Sequence, residues 1–256
     1  MSTTSQAGQT VAILGNGTVG TALGKGFAEL GYKVIFGTRD VEGEKTQAAL
    51  AAVPGARAAS FAEASAASNI AVLAVPWSGM EAVIFTAGPD NLAGKLVIDP
   101  SNPLDFSGDV PAMALGSSDS AGELVQRLLP RSHVVKAFNI VTATHMVNPR
   151  LPDGTPDMLI AGNDAGAKGR VAEIIKGFGW RAPIDVGSIV ESRLLEGLAM
   201  LWVIYGFRND HWTHAFSLLA EVLEDHVREH VLGRVSAGTR AEAADELIDV
   251  IHSYFK

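Results

Sequence analysis

The chain has no cysteine in its 256 residues. That excludes disulfide bridges, thiolate nucleophiles and any zinc or iron–sulfur centre held by sulfur. Aromatic residues make up only 7% and charged residues 19%, against 47% hydrophobic residues. Such a balance belongs to a globular protein and excludes a disordered tail, a collagen or a coiled coil. Basic residues are in deficit: 20 Lys and Arg against 28 Asp and Glu leave a formal charge of −8. An acidic chain argues against a nucleic-acid or anionic-membrane surface, so a basic residue at a binding site would be a local exception. No apolar run reaches the roughly 20 residues of a membrane-spanning helix. The longest, 194–207, contains Glu196 and is expected to form a buried core helix. Residues 1–9 carry neither a basic residue nor an apolar stretch, unlike a signal peptide, and cytoplasm is the expected location.

What is present is an alternation. Short apolar runs at 10–14, 33–37, 70–75, 95–99, 133–138, 157–161 and 181–186, with a weaker one at 56–58, predict strands buried on both faces. Apolar spacing of i, i+3, i+4 predicts helices over 19–30, 43–52, 61–67, 78–87, 122–129, 165–178 and 188–205. Ser120 followed by Glu123 predicts a capping box. Strands separated by helices are the sequence form of a Rossmann-type, doubly wound α/β fold with a mainly parallel sheet. The expected domain covers 10–187. Residues 188–256 are expected to be a helical region, with further helices at 211–232 and 239–254. Two segments, 102–120 and 148–156, are rich in turn-forming residues and are expected to be loops.

Gly15-Asn16-Gly17-Thr18-Val19-Gly20 follows the first strand and opens the first helix. In that setting the glycine pattern has a mechanism. Gly15 makes a tight turn, Gly17 lets the backbone approach a pyrophosphate, and Gly20 lets helix and strand pack closely. The helix N-terminus then offers amide donors and a positive dipole end to the anion. In an NAD site the second strand would end in Asp or Glu. Here it ends Gly37-Thr38-Arg39, a hydroxyl and a guanidinium, which suits the 2′-phosphate of NADP(H). Asp40 lies one step further on, and Lys45 is read as an ordinary exposed helix lysine.

Beyond the fingerprint, the chain over most of 10–205 resembles the NADP oxidoreductases that depend on the deazaflavin coenzyme F420, and the reductase domain of the STEAP metalloreductases. The resemblance rests on Gly37-Thr38-Arg39, Ala74-Val75-Pro76-Trp77, Asp99-Pro100-Ser101-Asn102-Pro103-Leu104, Val135-Lys136-Ala137-Phe138-Asn139, Ile160-Ala161-Gly162-Asn163-Asp164 and Asp185-Val186-Gly187-Ser188 with Ser192–Glu196. It implies that Thr38 and Arg39 bind the 2′-phosphate, that Val75 and Pro76 line the dinucleotide, and that Ala137 and Asn139 approach the nicotinamide end. Asn102, just past a strand end, could orient ribose or carboxamide, or structure its loop. The archaeal pattern carries a His soon after Pro-Trp, where this chain has Ser78-Gly79-Met80. The stretch Ile140–Thr144 is closer to the bacterial and STEAP-like pattern, so the second substrate stays open between a deazaflavin, a flavin and a small carbonyl, imine or quinone.

Hydride transfer to a flavin-like ring needs stacking and proximity rather than a general acid. A carbonyl or imine acceptor would need a proton donor within hydrogen-bond reach. His145, His211, His214, Tyr205 and Asp99 are the candidates, none in a recognisable catalytic pattern, and a sensor that binds NADP(H) without turnover is the third class. His211 with His214 and His226 with His230 have the spacing of metal ligands, but their charged neighbours read as a polar helix face, and no metal site is assigned. Trp202, Tyr205, Phe207 and Trp212 read as core or dimer packing rather than a wall over a cofactor. Leu194, Leu195, Leu198, Leu201 and Trp202 form an apolar helix surface that predicts a homodimer or higher oligomer.

Overall fold

The computed structural model describes residues 8–152 and 154–218. Along the chain run β1 (Thr10–Leu14), α1 (Thr18–Glu29), β2 (Lys33–Gly37), α2 (Glu44–Ala52), β3 (Arg57–Ala59), α3 (Phe61–Ala66), β4 (Ile70–Leu73), α4 (Met80–Ala87), α5 (Pro89–Leu92) and β5 (Leu96–Asp99). They are followed by β6 (Leu104–Asp105), β7 (Ala112–Met113), α6 (Ala121–Leu128), β8 (His133–Lys136), β9 (Leu159–Gly162), α7 (Ala165–Gly177), β10 (Ile184–Asp185) and α8 (Ser192–Asn209). Of the helix expected at 211–232, the described part, 211–218, is not helical; the remainder, the helix expected at 239–254, and His226 and His230 lie outside the described residues. The described residues up to Ser217 form one compact unit.

Eight strands make one sheet in the order β10-β9-β8-β5-β4-β1-β2-β3. Six of them, from β3 to β8, pair in parallel, and most of their residues are buried because helices cover both faces. The strand order reverses between β1 and β4, and such a switch point opens a crevice at the carboxyl ends of the strands. β9 instead runs antiparallel to β8. Among its described residues, the connection between them holds a 3-10 turn, Ala143–His145, but no α-helix to carry the chain back across the sheet.

α1 shows how the layers interlock. Phe27 packs edge-on against Tyr32 and Phe178, each with ring centroids 5.2 Å apart. Gly24 leaves room for Phe36, since a Cβ there would stand 2.9 Å from that ring.

The segment 102–120 contains a small antiparallel hairpin, β6 with β7, where only a loop was expected. The capping box expected at Ser120 is half formed. Ser120 accepts from the Glu123 amide, but Arg193 grips both oxygens of the Glu123 carboxylate at 2.7 Å. The Ser120 amide therefore turns to Asp119. A complete box stands at Ser60 and Glu63, opening α3. On α8, Leu195 is buried within its own chain rather than presented on the helix surface, whereas Leu194 and Leu201 are 69% and 57% exposed.

Candidate dinucleotide crevice and neighbouring cleft

The β1–α1 turn is dictated by two contacts that only glycine allows. Gly15 has φ +118°, and a Cβ on it would lie 2.2 Å from the Ala74 carbonyl at the end of β4. A Cβ on Gly20 would lie 2.2 Å from the Gly15 carbonyl. Gly17 is different, with nothing within 4 Å of the place its Cβ would take, so its backbone faces open space. Gly17 is also the N-cap of α1, and no side chain caps that helix. Thr18 and Val19 follow it, so the first-turn amides and the positive end of the helix dipole lie beside the opening, an arrangement suited to an anion.

At the end of β2 the chain builds a polar corner. Thr38 is buried, while Arg39 and Asp40 are exposed. The Asn16 amide donates to Thr46 Oγ1 at 2.7 Å and more loosely to Thr38 Oγ1 at 3.4 Å. Thr46 Oγ1 donates to the Asp40 carbonyl at 2.6 Å, and the Asp40 amide donates to Thr38 Oγ1. Asn16 and Thr46 thereby tie the glycine turn to the start of α2, a role the sequence reading missed because nothing local marks Thr46. Among the described residues, the Arg39 guanidinium makes no ion pair, with Asp40 or with any other carboxylate. Gly15, Thr38, Arg39, Lys45, Pro76 and Ser78 border a crevice of about 840 Å³ running along this corner.

A second cleft of about 430 Å³ continues past Gly17 toward the ends of β4 and β5. Val19, Val75, Pro76, Trp77, Leu104 and Phe106 give it an apolar and aromatic lining, with Ser101 and Asn102 among its polar groups. Among the described residues, none that lines it carries an ionisable side chain.

Asn102 and Asn139 come together. The Asn102 side chain donates to the Asn139 carbonyl at 2.7 Å, and the Asn139 side chain donates to Asn102 Oδ1 at 2.9 Å and to the Leu195 carbonyl at 3.1 Å. Phe138, just before Asn139, has φ +66°, a left-handed conformation that costs a bulky residue about 1–3 kcal/mol. Its ring is held in the core beside Phe178. Ala137 is fully buried in the same core and lines neither cleft.

Behind this pair lies a charged cluster the sequence reading did not assemble. Lys136, wholly buried, places Nζ 2.7 Å from Asp99 Oδ2 and 2.9 Å from Glu196 Oε1, and donates to the Ser101 carbonyl at 2.8 Å. Asp99 Oδ1 accepts from the Ser101 amide, and the two Glu196 oxygens accept from the amides of Ala121 and Gly122 at the start of α6. Burial alone would pull the Lys136 ammonium down, but the two carboxylates outweigh it and hold its pKa above the ordinary value. Burial pushes the Glu196 carboxyl up, opposed by Lys136 and the backbone donors. The sequence did carry a signal: Lys136 and Glu196 are single charges of opposite sign inside otherwise apolar runs.

The other proton-donor candidates stand elsewhere. His145 lies on the turn between β8 and β9, and its ring lines neither cleft. His214 stacks on Trp202 at 4.7 Å and meets Tyr205 edge-on, beyond both clefts, and Trp202 Nε1 donates to the His214 carbonyl. Among the described residues, no group of three His, Asp or Glu is placed to hold a metal, and no helix is long and apolar enough to cross a membrane.

Comparison with known proteins agrees with this geometry. Residues 10–103 match the family described as NADP oxidoreductase, coenzyme F420-dependent. The metalloreductase STEAP3 of Rattus norvegicus is 30% identical over 191 residues, covering 74% of this chain but 36% of that protein. The F420-dependent NADP reductase of Methanocaldococcus jannaschii is 31% identical over 144 residues, 55% of this chain and 63% of that protein. This chain thus spans about a third of the first relative's length and under two thirds of the second's. A crystal structure of a candidate F420-dependent NADP reductase from Arthrobacter sp. FB24 is 35% identical, with a TM-score of 0.78 over 83% of this chain and 100% of that one.

Proposed function

The chain belongs to the family of coenzyme F420-dependent NADP oxidoreductases, and from that premise we propose that it exchanges hydride between NADP(H) and a planar deazaflavin or flavin ring. NADPH, when bound, supplies the hydride from its nicotinamide. The chain supplies position. The open backbone at Gly17 and the uncapped start of α1 suit a pyrophosphate, and Thr38 with Arg39, which has no ion pair among the described residues, suits a 2′-phosphate. Val75 and Pro76 border both openings, which suits a dinucleotide laid from the β2 corner toward β5. Asn102, tied to Asn139, supports the far end.

The observation that carries the choice of acceptor is the second cleft, apolar, aromatic and without an ionisable lining group. Reducing a carbonyl or imine needs a proton donor beside the reacting atom, whereas a flavin-type ring accepts hydride as such. Asp99, next to the lining residue Pro100, is committed to Lys136 and Ser101. A volume of about 430 Å³ is within the range of small-molecule sites. The test is loss of reduced-nicotinamide absorbance with purified protein, NADPH and a panel of acceptors. Turnover with F420 or free flavins, and none with ketones or imines, is expected. Turnover with ketones or imines alone, or tight NADPH binding with no acceptor at all, overturns the reading.

The exposed residues Leu194, Leu201 and Tyr205, seven and four apart along α8, support self-association through that helix. Light scattering that finds a monomer at micromolar concentration would end this part of the proposal.

A further inference from the structure

The cluster of Asp99, Lys136 and Glu196 holds one carboxylate more than it needs. A single carboxylate would neutralise the buried ammonium; a second leaves one excess negative charge in the interior, and burying uncompensated charge costs stability. The amides of Ala121 and Gly122 offset part of that cost at Glu196. These bonds, with that of the Ser101 amide to Asp99, compensate the excess charge only in part.

Ser101 lines the second cleft and is bonded to the cluster twice, through its carbonyl to Lys136 and through its amide to Asp99. One residue therefore separates the cleft from the cluster. We propose that Asp99, Lys136 and Glu196 form an electrostatic positioning element that favours the oxidised, positively charged nicotinamide over the reduced, neutral one. This rests on the reading that the nicotinamide end of NADP(H) occupies the second cleft. When a dihydronicotinamide breaks its C–H bond and hands the hydrogen with both bonding electrons to the acceptor, the ring goes from neutral to a charge of +1. A fixed negative charge behind it lowers the energy of that charge as it develops, without touching the ring and without any proton transfer. Lys136 also orders the Asp99–Asn102 turn, so the element fixes both the shape and the field of this end of the cleft.

The readout is a ratio that a merely structural role would not move. Dissociation constants for NADP⁺ and for NADPH are measured by quenching of intrinsic fluorescence on the same preparation, so any inactive fraction cancels. A unit charge on the order of 10–15 Å away, in an effective dielectric of about 20, changes the ratio roughly six- to sixteenfold. Glu196→Gln is expected to weaken NADP⁺ relative to NADPH by about that factor. Asp99→Asn keeps an acceptor for the Ser101 amide, removes the same charge from the other side of Lys136, and is expected to shift the ratio the same way. It also serves should Glu196→Gln not fold. An unchanged ratio, in whichever of these variants binds both nucleotides, overturns the inference and leaves the cluster a structural tie. If the wild-type protein binds neither nucleotide, the nicotinamide reading itself fails, a result distinct from an unchanged ratio.

Discussion

Asn102 and Asn139, 37 residues apart, bind each other through their amide groups, so the loop after β5 and the end of β8 share one polar joint. Asn102→Ala removes both bonds and leaves the Asn139 carbonyl and one of its N–H groups without these partners in a nearly closed site. The cost of such orphaned groups is about 1–3 kcal/mol. For a chain of this size that corresponds to a fall in Tm of roughly 2–12 °C, measurable by thermal unfolding. A Tm within 1 °C of wild type would mean that the joint does not form in solution.

The three fingerprint glycines separate into two kinds. Gly15→Ala places a methyl group 2.2 Å from a carbonyl oxygen at a positive φ, and is expected to destabilise the fold together with nucleotide binding. Gly17→Ala meets nothing within 4 Å, so the protein should keep its stability to within about 0.5 kcal/mol. Its added methyl group would stand where a pyrophosphate must approach. Calorimetric titration should show NADPH binding lost in a protein that unfolds like wild type. Equal destabilisation by both substitutions would contradict this division.

Acid stability has an identifiable contributor. Hydrogen bonds from Arg193 hold the Glu123 carboxyl below its ordinary range, joined by Ser120 and opposed by burial. A depressed folded-state pKa gives stability that is present above the unfolded value of about 4.5 and is lost as pH falls through the folded one. Denaturant melts between pH 6 and 2.5 should therefore show a shallower acid decline for Glu123→Gln than for wild type. Parallel declines would show that the pair contributes nothing.

Much of this was legible beforehand where one physical demand dominates. β1 and β2 begin and end where two-sided apolar burial requires, and the Gly15 turn needed no tertiary information. The antiparallel β9 was not legible, because an apolar strand carries no mark of its direction. The β6–β7 hairpin is two residues on each side and hidden among turn formers. Asn16 with Thr46, and Lys136 with Asp99 and Glu196, join residues 30 to 60 positions apart, and a pairing of that kind becomes visible only once the sheet has assembled.

Arg39 is the most direct test of the account as a whole. It is an exposed cation in an acidic protein, it borders the crevice, and no carboxylate pairs with it among the described residues. A guanidinium bound to the 2′-phosphate of NADP(H) makes charge-assisted contacts worth about 1.5–3 kcal/mol, so Arg39→Ala should raise the KM for NADPH roughly ten- to a hundredfold. NADH lacks that phosphate, and its KM should hardly change, with Thr38→Ala giving a smaller shift in the same direction. If the ratio of kcat/KM for NADPH to that for NADH is the same in Arg39→Ala as in wild type, the crevice is not reading the phosphate and the NADP(H) site is misplaced.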